Sequence, residues 1–178
     1  MKILGYILAI IILASCGSPR EVTMPYRNYS LTANRLLPLQ YSNDKKSIRI
    51  WISESTSLDR VITVSKSLDS SYSCELTIFG PGIGNAQKTK GYFITKKMVP
   101  ESGYKNFFSE IDSLNLGSLS DQKNIEVVSD HPVEICIIEY LDNGNYTKFR
   151  FQSGLSYSDY KIIEALIQKE FPILPTSN

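Results

Sequence analysis

The sequence predicts an α+β domain: a mostly antiparallel sheet of about six strands with two helices packed on one face. Three observations point there. Segments of strict apolar alternation come first, and a segment of helical spacing follows them. An Asn-Gly hairpin then leads into a second helical stripe. The chain is also rich in Tyr, with 11 against a single Trp, and such a composition favours strands over a helical bundle. Its 178 residues, 42% of them apolar, suffice for one domain with a real core.

Taken in order, Ser47 to Ser53 (SIRIWIS) is the first clear strand. Ile48, Ile50 and Ile52 share one face, and Arg49 and Trp51 share the other. Arg60 to Lys66 is β-branched and strand-like, although its flanks also allow a helix through Leu58, Ile62, Ser65 and Leu68. Tyr72 to Phe79 alternates again, with Tyr72, Cys74, Leu76 and Ile78 on one face. Gly91 to Lys97 is a fourth strand. The period then changes. Tyr104, Phe107, Phe108, Ile111 and Leu114 form one apolar stripe of a helix that Ser102 can cap, that runs to about Leu116 and that Gly117 follows. Val133 to Leu141 is apolar enough for a central strand, and Tyr146 to Gln152 returns beside it. Ser156, with Asp159 three residues on, opens the last helix in a capping box. Ile162, Ile163, Leu166 and Ile167 make its buried stripe, and Pro172 stops it.

Asn143-Gly144 fixes a register, because a two-residue turn with positive φ at both central sites leaves no slack. Glu139 falls opposite Lys148, Ile138 opposite Phe149 and Cys136 opposite Phe151. One opposite-charge pair and two apolar pairs agree with each other.

The N-terminus carries a different kind of signal. Lys2 precedes an apolar run from Ile3 to Ala14, about a dozen residues where a spanning helix needs about 20. The run suits the core of a signal peptide. Leu13-Ala14-Ser15-Cys16 at its end resembles the lipobox of bacterial lipoproteins, L-[AS]-[GAS]-C. The resemblance covers these residues and the run before them. It implies cleavage between Ser15 and Cys16, and acyl chains on Cys16 that hold the protein to a membrane. The alternatives are an ordinary secreted signal with a chance Cys, or an uncleaved anchor helix. Gly17, where lipoproteins kept at an inner membrane often carry Asp, leans toward the outer membrane. The organisation expected is therefore a signal peptide over 1–15, the lipidated Cys and a Pro-interrupted tether over 16–46, and one α+β domain over 47–174. Leu36, Leu37 and Leu39 are candidates to dock the tether onto the domain.

Candidate chemistry is sparse. Gly82 to Thr89 (GIGNAQKT) imitates a phosphate loop, with Gln87 where the second Gly belongs. A strand-like segment follows it in place of the helix whose N-terminus would face the phosphates, so no nucleotide is expected. His131 is the only His and has no nucleophile-elbow motif to serve. One His and two strand Cys make a poor metal set, and no cofactor is called for. Glu75, Asp112, Glu134 and Glu139 are the carboxylates from which an acid/base pair would have to come. Arg49, Trp51, Tyr140 and Tyr146 either line a binding face or simply cover the second face of the sheet. Export to an oxidising compartment makes a Cys74–Cys136 disulfide possible, but both sit mid-strand, and two buried free thiols are the preferred reading.

Lys plus Arg is 19 against 18 Asp plus Glu, which gives no electrostatic case for nucleic acid. The exported part resembles, in general style, small exported lipoproteins. The expectation is a lipid-anchored envelope protein whose domain binds or supports a partner, such as another envelope protein, without catalysis. The alternatives are an envelope hydrolase and an inhibitor or immunity-type lipoprotein.

Overall fold

In the computed structural model of the protein, residues 23–24, 27–30, 36, 39–54, 58–80, 92–122, 134–153 and 158–172 are described. Ser15, Cys16, the Gly82–Thr89 stretch, His131 and the Ser156 cap all lie outside them. Strands β1 (Thr23–Met24) and β2 (Arg27–Ser30) pair with each other, so the segment expected to be a tether carries some regular structure. A short 3-10 turn follows at Leu39–Tyr41, and Leu39 is buried, as the docking reading expected.

The main sheet is built from β3 (Lys46–Glu54), β4 (Asp59–Lys66), β5 (Tyr72–Gly80), β6 (Tyr92–Lys97), β7 (Glu134–Asp142) and β8 (Asn145–Gln152). Its order is β6-β5-β4-β3-β7-β8, antiparallel throughout. Arg60 to Lys66 is thus a strand, not the helix its flanks allowed. After the β3–β6 meander, helix α1 (Tyr104–Ser113) leads back so that β7 lands beside β3. Helix α2 (Ser158–Glu170) closes the fold. The α+β class with two helices on one face is what the sequence predicted.

One hydrophobic core lies between that face and the helices. Ile48, Ile50, Ile62, Val64, Ile138, Phe149 and Phe151 come from the strands, and Phe107, Phe108, Ile111, Ile163, Leu166, Ile167 and Phe171 from the helices and their ends. Ile162, expected in the buried stripe of α2, is 60% exposed. It stands on the flank of that stripe, where with Leu114 and Leu166 it lines a shallow groove between the helices.

The ends of α1 differ from the expected caps. Ser102 does not cap the helix; its N–H donates to Glu170 Oε2 at 2.9 Å, and Gly103, with φ 79°, takes the position before the first turn. At the other end Asn115, at φ 48°, supplies the left-handed residue expected of Gly117, which instead sits inside a 3-10 turn over Leu116–Ser118. Asn tolerates this conformation because its short polar side chain bonds locally.

The β7–β8 hairpin has the expected turn, with Asn143 at φ 47° and Gly144 at φ 84°. A Cβ at Gly144 would meet no atom within 4 Å, so any substitution acts through the backbone alone. Gly144→Val is expected to destabilise the domain by about 1–2 kcal/mol, since a β-branched residue resists positive φ. The check is the urea midpoint, and an unchanged value would count against the turn type.

The two outer strands differ. Along β8, Asp121 Oδ1 accepts the Arg150 N–H at 3.0 Å and Gln122 Oε1 accepts the Gln152 N–H at 2.8 Å. The Gln122 N–H in turn donates to the Arg150 carbonyl at 2.9 Å. Among the described residues no strand pairs with the outer side of β6, which carries Lys96 and Lys97 exposed.

Candidate functional site

Alternation along each strand sends half of its residues to the sheet face away from the helices. The central part of that face is buried too: Ser47, Arg49, Trp51, Val61, Ile135, Ile137, Glu139 and Leu141 are all withdrawn from water. Glu139, fully buried, is its centre. Trp51 Nε1–H donates to Glu139 Oε2 at 2.7 Å, and the Tyr146 hydroxyl donates to Oε1 at 2.9 Å. Arg49 Nη1 and the Leu39 N–H complete the shell at 3.5 and 3.4 Å. Arg49 also lies over the Trp51 ring, 5.9 Å from its centroid. Burial pulls the Arg49 guanidinium below its ordinary pKa, and the Glu139 charge works against that shift. Burial, then the Glu139 charge, pushes the Tyr146 hydroxyl up.

This arrangement corrects two expectations. The Glu139↔Lys148 register is as the turn dictated, but the charge partner of Glu139 is Arg49, directly opposite on β3. Of Arg49, Trp51, Tyr140 and Tyr146, three cover the second face of the sheet, as one of the two readings had it, with Arg49 and Trp51 buried and Tyr146 half-buried around Glu139. Tyr140 departs from that reading: it lies on the helix side, with its hydroxyl on Asp112. A buried carboxylate with this many donors is a structural group.

The remaining carboxylates do not converge on one another. Glu75 lies on the Glu139 side, exposed, while Glu134 and Asp112 lie on the helix side. Glu134 pairs with Arg60 at 3.4 Å and Asp112 with Lys46 at 2.6 Å. Cys74 and Cys136 are free, buried thiols. They stand on β5 and β7 with β4 and β3 between them, about 14 Å apart across the sheet by strand spacing alone, and Cys74 is level with Ile48 where Cys136 is level with Ile52, a separation that no disulfide can bridge. Burial pushes the Cys74 thiol up to about 12, and burial with the nearby Glu134 charge raises Cys136 well above its ordinary value, so neither is a nucleophile at neutral pH. Among the described residues no three His, Cys, Asp or Glu side chains gather as a metal ion requires.

What the fold does assemble is a cleft at one end of the sheet. Tyr72, Lys66, Lys46 and Asp142 lie side by side on β5, β4, β3 and β7, all on the helix face. Above them α1 presents Lys105, Phe108, Ser109 and Asp112, at spacings of three and four that put them on one stripe. With Lys45 and Asn143 from the adjoining turns these residues enclose about 410 Å³. A second hollow of about 340 Å³ continues past Lys46 toward the β7–β8 hairpin. Lys46 bridges the two aspartates, at 2.6 Å from Asp112 and 3.6 Å from Asp142. The Tyr140 hydroxyl donates to the same Asp112 oxygen at 3.1 Å. Burial and these carboxylates raise the Tyr140 hydroxyl above its ordinary pKa. Lys66 stands over the Tyr72 ring, 5.6 Å from its centroid.

Of these residues, Asp112 and Tyr140 are among the candidates for chemistry or binding that the sequence offers, and neither for this role; Tyr72, Phe108 and Asn143 read there as core and turn residues. The available signal was the Asn43-Asp44-Lys45-Lys46 turn, whose two lysines enter a strand otherwise buried on both faces. The chain matches no protein-family model, no curated protein and no solved structure.

Proposed function

We propose that the protein is a lipid-anchored component of a bacterial cell envelope whose domain works by binding, not by catalysis. The observation that carries the anchoring is Leu13-Ala14-Ser15-Cys16 at the end of a short apolar run. Acyl chains add about 0.8 kcal/mol per buried CH₂, and two or more of them give lasting attachment. Gly17 favours the outer membrane as its place. The disposition of charge supports the binding half. Glu139, Glu134 and Asp112 are each paired with a cation, and the open cleft is lined with lysines. Acid/base work by a carboxylate pair needs the two groups to face one another across a substrate, and the candidate carboxylates do not converge.

Cys16→Ser is expected to abolish fatty-acid incorporation and to leave the signal segment uncut. Cells expressing either form are fed a clickable fatty acid and the protein is captured. Equal labelling of the two forms would sink the anchoring.

A further inference from the structure

We infer that the cleft between α1 and the end of the sheet is a binding site for a phosphomonoester on a small body, of about the size of a sugar phosphate. The inference rests on the reading of the domain as a binding module and names its ligand class.

Charge is the first ground. Four lysines and two aspartates line the cleft, leaving a formal charge of +2. Both aspartates bind Lys46, and among the described residues no carboxylate lies within ion-pair distance of Lys45, Lys66 or Lys105. A phosphomonoester carries about −1.5 to −2 at neutral pH, close to the surplus, and offers three acceptor oxygens to three ammonium groups. A carboxylate or a phosphodiester would supply about half that charge.

The second ground is the asymmetry of the row. Lys46 and Lys66 stand directly opposite one another across β3 and β4. Lys46 has Asp112 and Asp142, whereas Lys66 has the Tyr72 ring and, among the described residues, no carboxylate. An anion held by Lys66 with Lys45 and Lys105 supplies the missing counter-charge.

Size and confinement are the third. The volume of about 410 Å³ falls within the range of small-molecule sites and exceeds what inorganic phosphate fills. Tyr72 and Phe108 give it an apolar wall, and the Ser109 hydroxyl a further donor. The positive charge is local, since the whole chain carries only +1, and this argues against a long polyanion.

The ligand can come free in solution or as the headgroup of a membrane lipid, and the test separates the two. Full-length lipidated protein is reconstituted in phosphatidylcholine nanodiscs and titrated calorimetrically with glucose 6-phosphate, inorganic phosphate or glucose. Glucose 6-phosphate is expected to bind more tightly than inorganic phosphate, and glucose not at all. Lys45→Glu combined with Lys105→Glu, both on exposed positions, is expected to weaken binding about tenfold or more, and Lys66→Ala alone to weaken it measurably. Lys161→Glu, on the exposed side of α2, should leave it unchanged. Adding phosphatidic acid to the discs should abolish the glucose 6-phosphate signal if the headgroup occupies the cleft, and leave it intact if the ligand is soluble. No binding of either phosphate to the wild type, with or without phosphatidic acid, overturns the inference. So does equal binding by the folded Lys45/Lys105 variant. Fatty-acid labelling on Cys16, read on the same preparation, decides the anchoring separately.

Discussion

Glu139→Ala is expected to destabilise the domain by about 3–5 kcal/mol, a large part of what holds a domain of this size together. The carboxylate is fully buried and accepts from Trp51, Tyr146, Arg49 and the Leu39 backbone. Its removal takes the carboxylate from a guanidinium with 6% residue exposure, which keeps its bond to Thr63, and takes the acceptor from an indole N–H and a phenol. Each orphaned polar group adds a desolvation penalty of about 1–3 kcal/mol unless water reaches it. Glu139→Gln, which keeps one acceptor oxygen and loses the charge, should fall between. Urea unfolding reads the effect as a shift of midpoint at constant slope. A loss below about 1 kcal/mol would mean that the network is hydrated and contributes little.

Phe107→Ala should be comparably severe, about 3–5 kcal/mol, for a different reason. Its ring is wholly buried and packs edge-on against Phe108 and Phe171, with centroids 5.6 and 5.7 Å away. Phe171 lies just past the end of α2, so the ring joins the two helices as well as filling the core. The Glu101 N–H bond to the Glu170 carbonyl, at 3.2 Å, crosses the same junction. Truncation leaves a void that a close-packed core closes only in part. Ile162→Ala, on the exposed flank of α2, should change the urea midpoint by a small fraction of that, and equal losses would place the core elsewhere.

The fold was legible wherever one face of an element was apolar and the period clean. SIRIWIS, YSCELTIF and the Tyr104–Leu114 stripe each state their own geometry, and Asn143-Gly144 sets the register of β7 on β8. Legibility ended where a strand met its second neighbour. A hairpin turn reveals only the partner that it connects. It put Lys148 opposite Glu139, but β7 also borders β3, and that pairing across some ninety residues brought Arg49 to the same carboxylate. The alternation of Arg49 and Trp51 with isoleucines imitates a strand wet on one side. The contrary clue was the nearly unbroken apolar run of β7, which marks a strand buried on both faces. The cleft was less legible still. Its row of residues is drawn from four strands, and each lysine alone reads as an ordinary solvated strand end. Only the sheet order places them side by side.

The unequal outer strands of the sheet bear on how copies of this protein behave when crowded together. Asp121 and Gln122 occupy the outward hydrogen-bonding groups of β8 at Arg150 and Gln152, so a foreign strand cannot add along that end without displacing them. Among the described residues β6 has no such cover, and the defence it does carry is the charge of Lys96 and Lys97. Among the described residues β6 is thus the more open edge, and two copies meeting along it would each turn outward a β8 whose C-terminal end is capped. Growth along the sheet past such a pair has to displace Asp121 and Gln122.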